Sequence, residues 1–260
     1  MAGPKAVGMR RSTLSGPGLR ALLATSSVAA LLIGGGTPAA YAAACSNVVS
    51  APFDNPLNTT IQNVCVDASF TAPGSNITNE GSISPSGIAF VGGTINGSIL
   101  STGVIDGGIS LDATSMISGS HTAISIGGAI FTGGISNSGM LSVGGSGIVV
   151  NGPSTFTGGI SNSGTITASG NGINVGSAGL FTGGIVNSAT GTITAARFGV
   201  GVLVGSTGGP GVYNVSNFSG GISNAGNISS NSGTGIQING VSTFGGGITN
   251  SGTISAGAEV

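Results

Sequence analysis

Single large apolar residues separate runs of small polar residues along most of the chain, and this pattern recurs at a regular interval. The segment FTGGISNSGTI begins at Phe156 and returns in close copies that begin at Phe131, Phe181, Phe218 and Phe244. The successive intervals are 25, 25, 37 and 26 residues. We assign the extra length of the third interval to an insertion within VLVGSTGGPGVYNVSN. Repeats of this length predict stacked units, none of which buries its apolar side chains alone.

Two shorter patterns occur inside each period. The pattern I-x-N-x-G-x-I stands at Ile77–Ile83 and returns at Ile135–Leu141, Ile160–Ile166, Ile222–Ile228 and Ile248–Ile254, with a longer variant at Ile185–Ile193. Apolar pairs such as Ile148/Val150 and Ile173/Val175 are separated by one residue, so both members face the same side of a strand. One period therefore predicts three short strands, F-T-G-G-I, T-I-T and G-I-x-V, joined by turns rich in Gly, Ser and Asn.

These strands predict an all-β fold, a single-stranded right-handed parallel β-helix of about seven coils of roughly 25 residues. In such a solenoid each coil covers the apolar side of its neighbours, and like residues stack along one axis. The expected core stack is Phe131, Phe156, Phe181, Phe218 and Phe244, beside a second stack of Ile135, Ile160, Ile185, Ile222 and Ile248. An amide ladder is expected from Asn79, Asn137, Asn162, Asn187, Asn224 and Asn250.

The first 44 residues have the pattern of a secretory signal peptide. Lys5, Arg10, Arg11 and Arg20 precede the apolar run ALLATSSVAALLI, which is shorter than the roughly 20 residues that span a bilayer. Small residues then lead to two A-x-A cleavage sites, which end at Ala42 and Ala44. The segment predicts an exported protein that is located at the cell surface, in the outer membrane or outside the cell.

Charge is scarce in the remainder of the chain. Charged residues make up 4% of the sequence, against about 25% in an average soluble domain. Once residues 1–44 are removed, Arg197 is the single basic residue opposite six acidic ones. This balance argues against nucleic acid or an anionic membrane as a partner, because both require clustered Lys and Arg.

Cys45 and Cys65 are the only cysteines. In an exported chain, two cysteines at this spacing favour a disulfide. The alternative is that Cys45, directly after Ala42–Ala44, is a lipid-modified N-terminus. We expect residues 45–75 to form an N-terminal cap with the disulfide, and residues 76–260 to form the β-helix.

The side chains that could support a reaction are few. Asp106, Asp112, His121 and Arg197 lie on the expected solenoid, and Asp106 and Asp112 are close enough in sequence to share a coil. Two carboxylates alone make a poor calcium site, and no catalytic sequence motif is present. We therefore predict no catalytic, metal-binding or cofactor-binding residues, and no cofactor. Two T-x-T pairs, Thr165/Thr167 and Thr192/Thr194, are reminiscent of ice-binding solenoids, but only two coils show them.

With its basic and apolar leader, its early Cys45/Cys65 pair and its FTGGISNSGTI coils, the chain resembles the passenger region of bacterial autotransporters. The resemblance covers the chain from Met1 to its end. It implies type V secretion, an outer-membrane barrel in the full-length protein, and a β-helical passenger that serves as an adhesin or as a display stalk. No barrel sequence occurs here, so we expect a fragment or truncated passenger; if it is complete, it is expected to self-associate end to end.

The predicted function is that of a non-enzymatic surface-exposed or secreted passenger, with glycans or a host surface as partners. Two alternatives stay open: a polysaccharide-acting enzyme on the same scaffold, and a self-assembling structural surface protein. Clustered acidic residues in one groove would favour the enzyme.

Overall fold

The computed structural model describes residues 47–128, 130–196, 201–205 and 214–257. These residues contain 32 short β-strands and no helix. The strands are two to four residues long, because glycine and serine interrupt every apolar run. They pair in parallel and form four sheets of eight strands each.

The four sheets are numbered in the order in which the chain visits them. Sheet 1 contains β1 (Phe53–Asn55), β5 (Ile77–Asn79), β9 (Ile99–Ser101), β13 (Ile124–Ile126), β17 (Ile148–Asn151), β21 (Ile173–Gly176), β25 (Val202–Gly205) and β29 (Ile236–Asn239). Sheet 2 contains β2 (Thr60–Ile61), β6 (Ser82–Ile83), β10 (Val104–Ile105), β14 (Ile130–Phe131), β18 (Thr155–Phe156), β22 (Leu180–Phe181), β26 (Val215–Phe218) and β30 (Val241–Phe244). Sheet 3 contains β3 (Val64–Val66), β7 (Ile88–Phe90), β11 (Ile109–Leu111), β15 (Ile135–Asn137), β19 (Ile160–Asn162), β23 (Ile185–Asn187), β27 (Ile222–Asn224) and β31 (Ile248–Asn250). Sheet 4 contains β4 (Ser69–Phe70), β8 (Thr94–Asn96), β12 (Met116–Gly119), β16 (Met140–Val143), β20 (Thr165–Ala168), β24 (Thr192–Ala195), β28 (Asn227–Ser230) and β32 (Thr253–Ala256).

Each coil of the solenoid consists of one strand from every sheet, so that a strand pairs with the strand four places further along the chain. The predicted β-solenoid with about 25 residues per coil is confirmed. The described residues form eight coils instead of seven, because Phe53–Phe70 already pairs in register with the second coil. The boundary predicted at residue 76 is therefore too late for the start of the solenoid. Coil 1 lacks the repeated sequence motif, which is why repeat counting missed it.

A coil has four strands where the sequence predicted three. The segment F-T-G-G-I was expected to be one strand, but in coil 5 it is a corner between β18 and β19. Gly158 and Gly159 form that corner with φ angles of 94° and 70°, which glycine adopts far more readily than other residues. The two glycines thus separate Phe156, in sheet 2, from Ile160, in sheet 3.

The phenylalanines stack as predicted in the core. Consecutive ring centroids are 4.6, 4.7, 4.8 and 5.2 Å apart, and the ring planes are within 10° of parallel. These distances follow the spacing of about 4.8 Å between neighbouring strands, because each ring rises from the same position of its strand. The column continues through Ile105, Ile83 and Ile61 towards coil 1.

The isoleucine stack is also found, in sheet 3. Ile135, Ile160, Ile185, Ile222 and Ile248 are in register. The first four are buried, whereas Ile248 in coil 8 is 49% exposed.

The asparagine ladder contains five of the six predicted residues, in coils 4 to 8. The Nδ2 of each donates to the Oδ1 of the next, at 2.7–2.8 Å, and the members are Asn137, Asn162, Asn187, Asn224 and Asn250. The first four side chains are almost completely buried. Each amide also reaches a backbone carbonyl of the following turn, as Asn162 Nδ2 does with Gly164 O at 3.2 Å.

The prediction was wrong for Asn79, which lies in sheet 1 and not in sheet 3. There it belongs to a second, shorter ladder in coils 1 to 3. Asn55 Nδ2 donates to Asn79 Oδ1 at 2.7 Å, and Asn79 Nδ2 donates to Ser101 Oγ at 3.0 Å. The motif I-x-N-x-G-x-I thus occupies the corner between sheets 1 and 2 in the first coils and the corner between sheets 3 and 4 in the later ones.

Polar and apolar positions are exchanged between the two corners after coil 3. Where sheet 1 carries Asn55, Asn79 and Ser101, sheet 3 carries Val66, Phe90 and Leu111 in the equivalent position. From coil 4 onwards sheet 3 carries asparagine, and sheet 1 carries Ile126, Val150, Val175, Val204 and Ile238. Of these two corners, each coil therefore uses only one for its ladder side chain.

This exchange explains one orphaned atom. Asn137 Oδ1 is buried and has no hydrogen-bond partner. Its neighbour in the preceding coil is Leu111, which cannot donate a hydrogen bond. The second ladder begins at Asn137, so this oxygen has no preceding amide.

Eight of the twelve additional residues of the third interval follow β25, and the connections from β23 to β24 and from β24 to β25 are each two residues longer than those of coil 5. Phe181 and Phe218 remain paired across the 37-residue interval, so the extra residues leave the register of the core unchanged. Residues 206–213, which include most of the insertion, lie outside the described residues.

Candidate functional surface

The residues singled out for chemistry are distributed over different corners. Asp106 and Asp112 share coil 3, as expected, but Asp106 follows sheet 2 and Asp112 follows sheet 3. His121 lies between sheets 4 and 1. Arg197 lies outside the described residues. Within the described ranges, no group of three His, Cys, Asp or Glu side chains could hold a metal ion.

Asp106 connects three coils through its carboxylate. Ser84 Oγ donates to Asp106 Oδ2 at 3.2 Å, and Thr132 Oγ1 donates to Asp106 Oδ1. Ser84 and Thr132 occupy the equivalent position in the preceding and following coils, directly after the strand of sheet 2. The carboxylate therefore has a structural role in joining these coils.

Asp112 closes a local turn. Its Oδ1 accepts hydrogen bonds from Thr114 N at 3.0 Å, Thr114 Oγ1 at 2.9 Å and Ser115 Oγ at 2.7 Å. Burial raises the pKa of Asp112, but the hydrogen bonds from Ser115, Gly92 and Thr114 outweigh it and leave the pKa below its ordinary value. A carboxylate held in its ionised form by its own turn is poorly suited to proton transfer near neutral pH.

His121 borders an open groove of about 600 Å³. Leu100 and Ser125, from the outer side of sheet 1, are among the residues that line the groove, and Asn76 lies at one side. His121 Nδ1 is 3.1 Å from Ser120 Oγ, and the imidazole is exposed. His121 is the only ionisable side chain among the residues that line this groove.

The outer side of sheet 4 carries two parallel columns of side chains, which we call the sheet 4 face. The first column is Thr94, Met116, Met140, Thr165, Thr192, Asn227 and Thr253. The second column is Asn96, Ser118, Ser142, Thr167, Thr194, Ser229 and Ser255. All fourteen are half-buried or exposed, and none is charged.

Sequence reasoning recognised only the two T-x-T coils of this face. The structure extends the array to coils 2–8, because Ser and Asn stand in register with threonine. The missed signal was position: a polar residue stands on either side of the buried apolar residue of sheet 4 in most coils. The exceptions are Met116 and Met140, which place thioethers in the first column of coils 3 and 4.

Several hydroxyls on the sheet 4 face form no hydrogen bond within the described part of the chain. Those of Thr165, Thr167 and Thr192 make no hydrogen bond to any described residue. Elsewhere on the face, Ser229 Oγ donates to Thr194 Oγ1 at 3.2 Å. Hydroxyls that are held on a fixed strand and have no internal partner are available to a ligand.

The outer side of sheet 3 offers a contrast. It carries one column of small side chains, in which Ala89, Ser110, Ser136, Ser161, Val186, Ser223 and Thr249 are in register. Strands of sheet 3 have three residues, so only their central side chain faces outwards. We call this surface the sheet 3 face.

Cys65 is buried in β3, and its backbone pairs with the segment that follows Cys45. Cys65 N donates to Asn47 O at 3.0 Å, and Val49 N donates to Cys65 O at 2.9 Å. Cys45 itself, together with the cleavage positions Ala42 and Ala44, lies outside the described residues. The Cys45–Cys65 disulfide stays a prediction, and the position of Asn47 is compatible with it.

The part of the chain that the structure describes has no helix long and apolar enough to cross a membrane. Comparison of the chain with protein-family models, with curated proteins and with solved structures finds no match.

Proposed function

We propose that this chain is the solenoid portion of an exported surface protein of the autotransporter-passenger type, which acts without catalysis as a rigid stalk with adhesive faces. The observation that carries the proposal is the continuity of the core from coil to coil. From coil 4 to coil 8 the same positions hold Phe, Ile and Asn in the same structural roles. No coil departs from this plan to assemble acid, base or metal ligands within the described ranges.

Three further features support the proposal. Most solvent-facing side chains are short and neutral, which suits a protein that offers surface instead of a pocket. The carboxylates of Asp106 and Asp112 lie at different corners, and each accepts hydrogen bonds from neighbouring serine and threonine hydroxyls. The N-terminal 44 residues have the charge and hydropathy of a signal peptide.

Export is the testable part of this proposal. We suggest expressing the full chain in a Gram-negative host with alkaline phosphatase fused at its C-terminus, since that enzyme forms its disulfides only outside the cytoplasm. We expect phosphatase activity from the intact chain and its loss when residues 1–44 are deleted. An inactive but intact fusion would contradict export.

The non-catalytic role needs its own assay. Purified chain is incubated with soluble neutral and acidic polysaccharides, and new reducing ends or unsaturated products are measured. We expect no turnover. Turnover that disappears in the Asp106→Asn or Asp112→Asn variant would favour the enzyme alternative instead.

A further inference from the structure

We propose that the sheet 4 face is a binding surface for a neutral polysaccharide with a regularly repeating chain. This deepens the adhesive role and rests on the proposed function only in that the ligand lies outside the cell. The binding surface itself consists only of side chains on described strands of sheet 4.

The geometry of the face is that of a regular array. Neighbouring strands are about 4.8 Å apart, and the two columns are separated by two residues of one strand, or about 6.6 Å. Polar side chains occupy both columns in coils 2 and 5 to 8, so the array extends along the solenoid axis. A linear polymer that lies along the columns would meet a pair of polar side chains at each of these five coils, and a methionine beside a serine in coils 3 and 4.

The chemistry of the face selects the class of polymer. Serine and threonine hydroxyls and asparagine amides each donate and accept hydrogen bonds, as the hydroxyls of a sugar chain do. Neither column contains a basic residue, so the face lacks the cations that nucleic acids or sulfated glycans require. A neutral polysaccharide is the polymer that matches both properties.

Met116 and Met140 add an apolar contact in coils 3 and 4. Met140 is 41% exposed, and it stands in register with Met116 on one side and Thr165 on the other. A thioether side chain adapts to an irregular apolar surface, such as the C–H face of a sugar ring. The face therefore combines hydroxyl contacts in coils 5 and 6 with an apolar contact in the two preceding coils.

The composition of the columns favours a polysaccharide over ice. A crystal surface repeats identical groups, and its best partner would repeat one side chain at every coil. Here the columns contain threonine, serine, asparagine and methionine in no fixed order, which suits a hydrated polymer that forms separate weak contacts. Their combined strength comes from the number of coils engaged.

The test is a binding isotherm of the full purified chain on four insoluble neutral polysaccharides: cellulose, chitin, curdlan and amylose. The variant Thr165→Val/Thr167→Val/Thr192→Val/Thr194→Val removes four hydroxyls and keeps the β-branched shape. The matched control, Ser110→Ala/Ser136→Ala/Ser161→Ala/Ser223→Ala, removes four hydroxyls from the sheet 3 face. Circular dichroism and thermal unfolding establish that both variants are folded.

We expect the wild-type chain to bind at least one of the four polymers, the control to bind equally, and the threonine variant to bind at least about tenfold more weakly. The proposal is overturned if the wild-type chain binds none of them, if the threonine variant binds like the wild type, or if the control loses binding to the same extent. Inhibition of ice growth without polysaccharide binding would also overturn it and would assign the face to ice.

These outcomes are separate from those of the export experiment. The isotherm uses purified chain and does not depend on where the cell places it. A chain that is exported but binds none of the four polymers would retain the proposed function and lose this ligand.

Discussion

The buried asparagines show how one residue type meets two requirements. A side chain at a coil corner must satisfy the backbone carbonyls that turn there, and it must also match the coil above and the coil below. An amide does both, because it has two N–H donors and a carbonyl acceptor. Asn162 donates to Asn187 and Gly164 and accepts from Asn137.

We predict that Asn162→Ala destabilises the chain by about 3 kcal/mol or more, because it leaves the Nδ2 of Asn137 and the Oδ1 of Asn187 without their ladder partner. The measurement is urea unfolding followed by circular dichroism. As a control, Asn96→Ala removes an amide from the sheet 4 face, where it donates only to Thr71 O, and should cost less than about 1 kcal/mol. Equal losses in the two variants would contradict the ladder as a source of stability.

The lowered pKa of Asp112 predicts how the stability of the fold depends on pH. Its pKa in the folded chain is below the ordinary value, so the ionised form stabilises the fold above the unfolded pKa and this contribution is lost as the pH falls through the folded pKa. We expect the wild-type melting temperature to fall between pH 5 and pH 2 by more than that of Asp112→Asn.

The asparagine variant keeps the side-chain oxygen that Thr114 and Ser115 require and does not titrate. If both proteins lose the same stability over this pH range, the contribution of Asp112 is refuted.

At the scale of the strand and its corners, glycine pairs determine where one strand ends and the next strand of the coil begins. Sequence periodicity correctly predicted that Phe156 and Ile160 both face the core, but it joined them in one strand. The distinction depends on φ at Gly158 and Gly159, and glycine tolerates extended and left-handed backbone alike. The sequence F-T-G-G-I therefore looks the same whether its two glycines continue a strand or turn a corner.

The corner glycines allow a paired test of crowding. Gly92 and Gly159 have nearly equal φ angles, 72° and 70°. A Cβ on Gly92 would have its nearest neighbour at 3.5 Å, whereas a Cβ on Gly159 would lie 2.5 Å from Gly183 O. Backbone atoms of the next coil thus fill the space beside Gly159.

We predict that Gly92→Ala costs about 1 kcal/mol, the cost of the left-handed conformation. Gly159→Ala should cost about 3 kcal/mol, since overpacking is added to the same backbone term. Chemical unfolding of both variants gives the difference, and equal losses would show that the coils separate easily at this corner.

The two asparagine ladders show where sequence reasoning reached its limit. Ile77–Ile83 and Ile160–Ile166 have the same motif, and each places asparagine at a corner. Only the pairing of strands reveals that these corners lie in different sheets. The phenylalanine column was predictable because phenylalanine is rare here and recurs at the same position of the repeat from coil 4 to coil 8.

At the scale of the solenoid, each coil contacts only its two neighbours, so stability should be distributed locally. Phe156 lies in the middle of its column, with Phe131 and Phe181 at 4.6 and 4.7 Å. We predict that Phe156→Ala costs about 4 kcal/mol and that its effect is concentrated in coils 4 to 6.

Hydrogen exchange measured by mass spectrometry tests this distribution. Peptides from coils 4 to 6 should exchange faster in Phe156→Ala, while those from coils 1 and 2 keep their protection. Phe156→Leu, which retains most of the buried volume, should show the same pattern with smaller amplitude. A uniform increase across all coils would instead indicate that the solenoid unfolds as one unit.

The exchange of polar and apolar corners after coil 3 also bears on how such a chain can change in length. Because the same motif fits two corners, the smallest interchangeable segment is half a coil, or one motif with its connecting glycines. Duplication or deletion of such a segment would preserve the contacts among the later coils and leave an unpaired amide atom only at the junction, as at Asn137; it would rotate every later coil by half a revolution. A genetic change of this size would therefore redirect the exposed faces to the opposite side without requiring a new core.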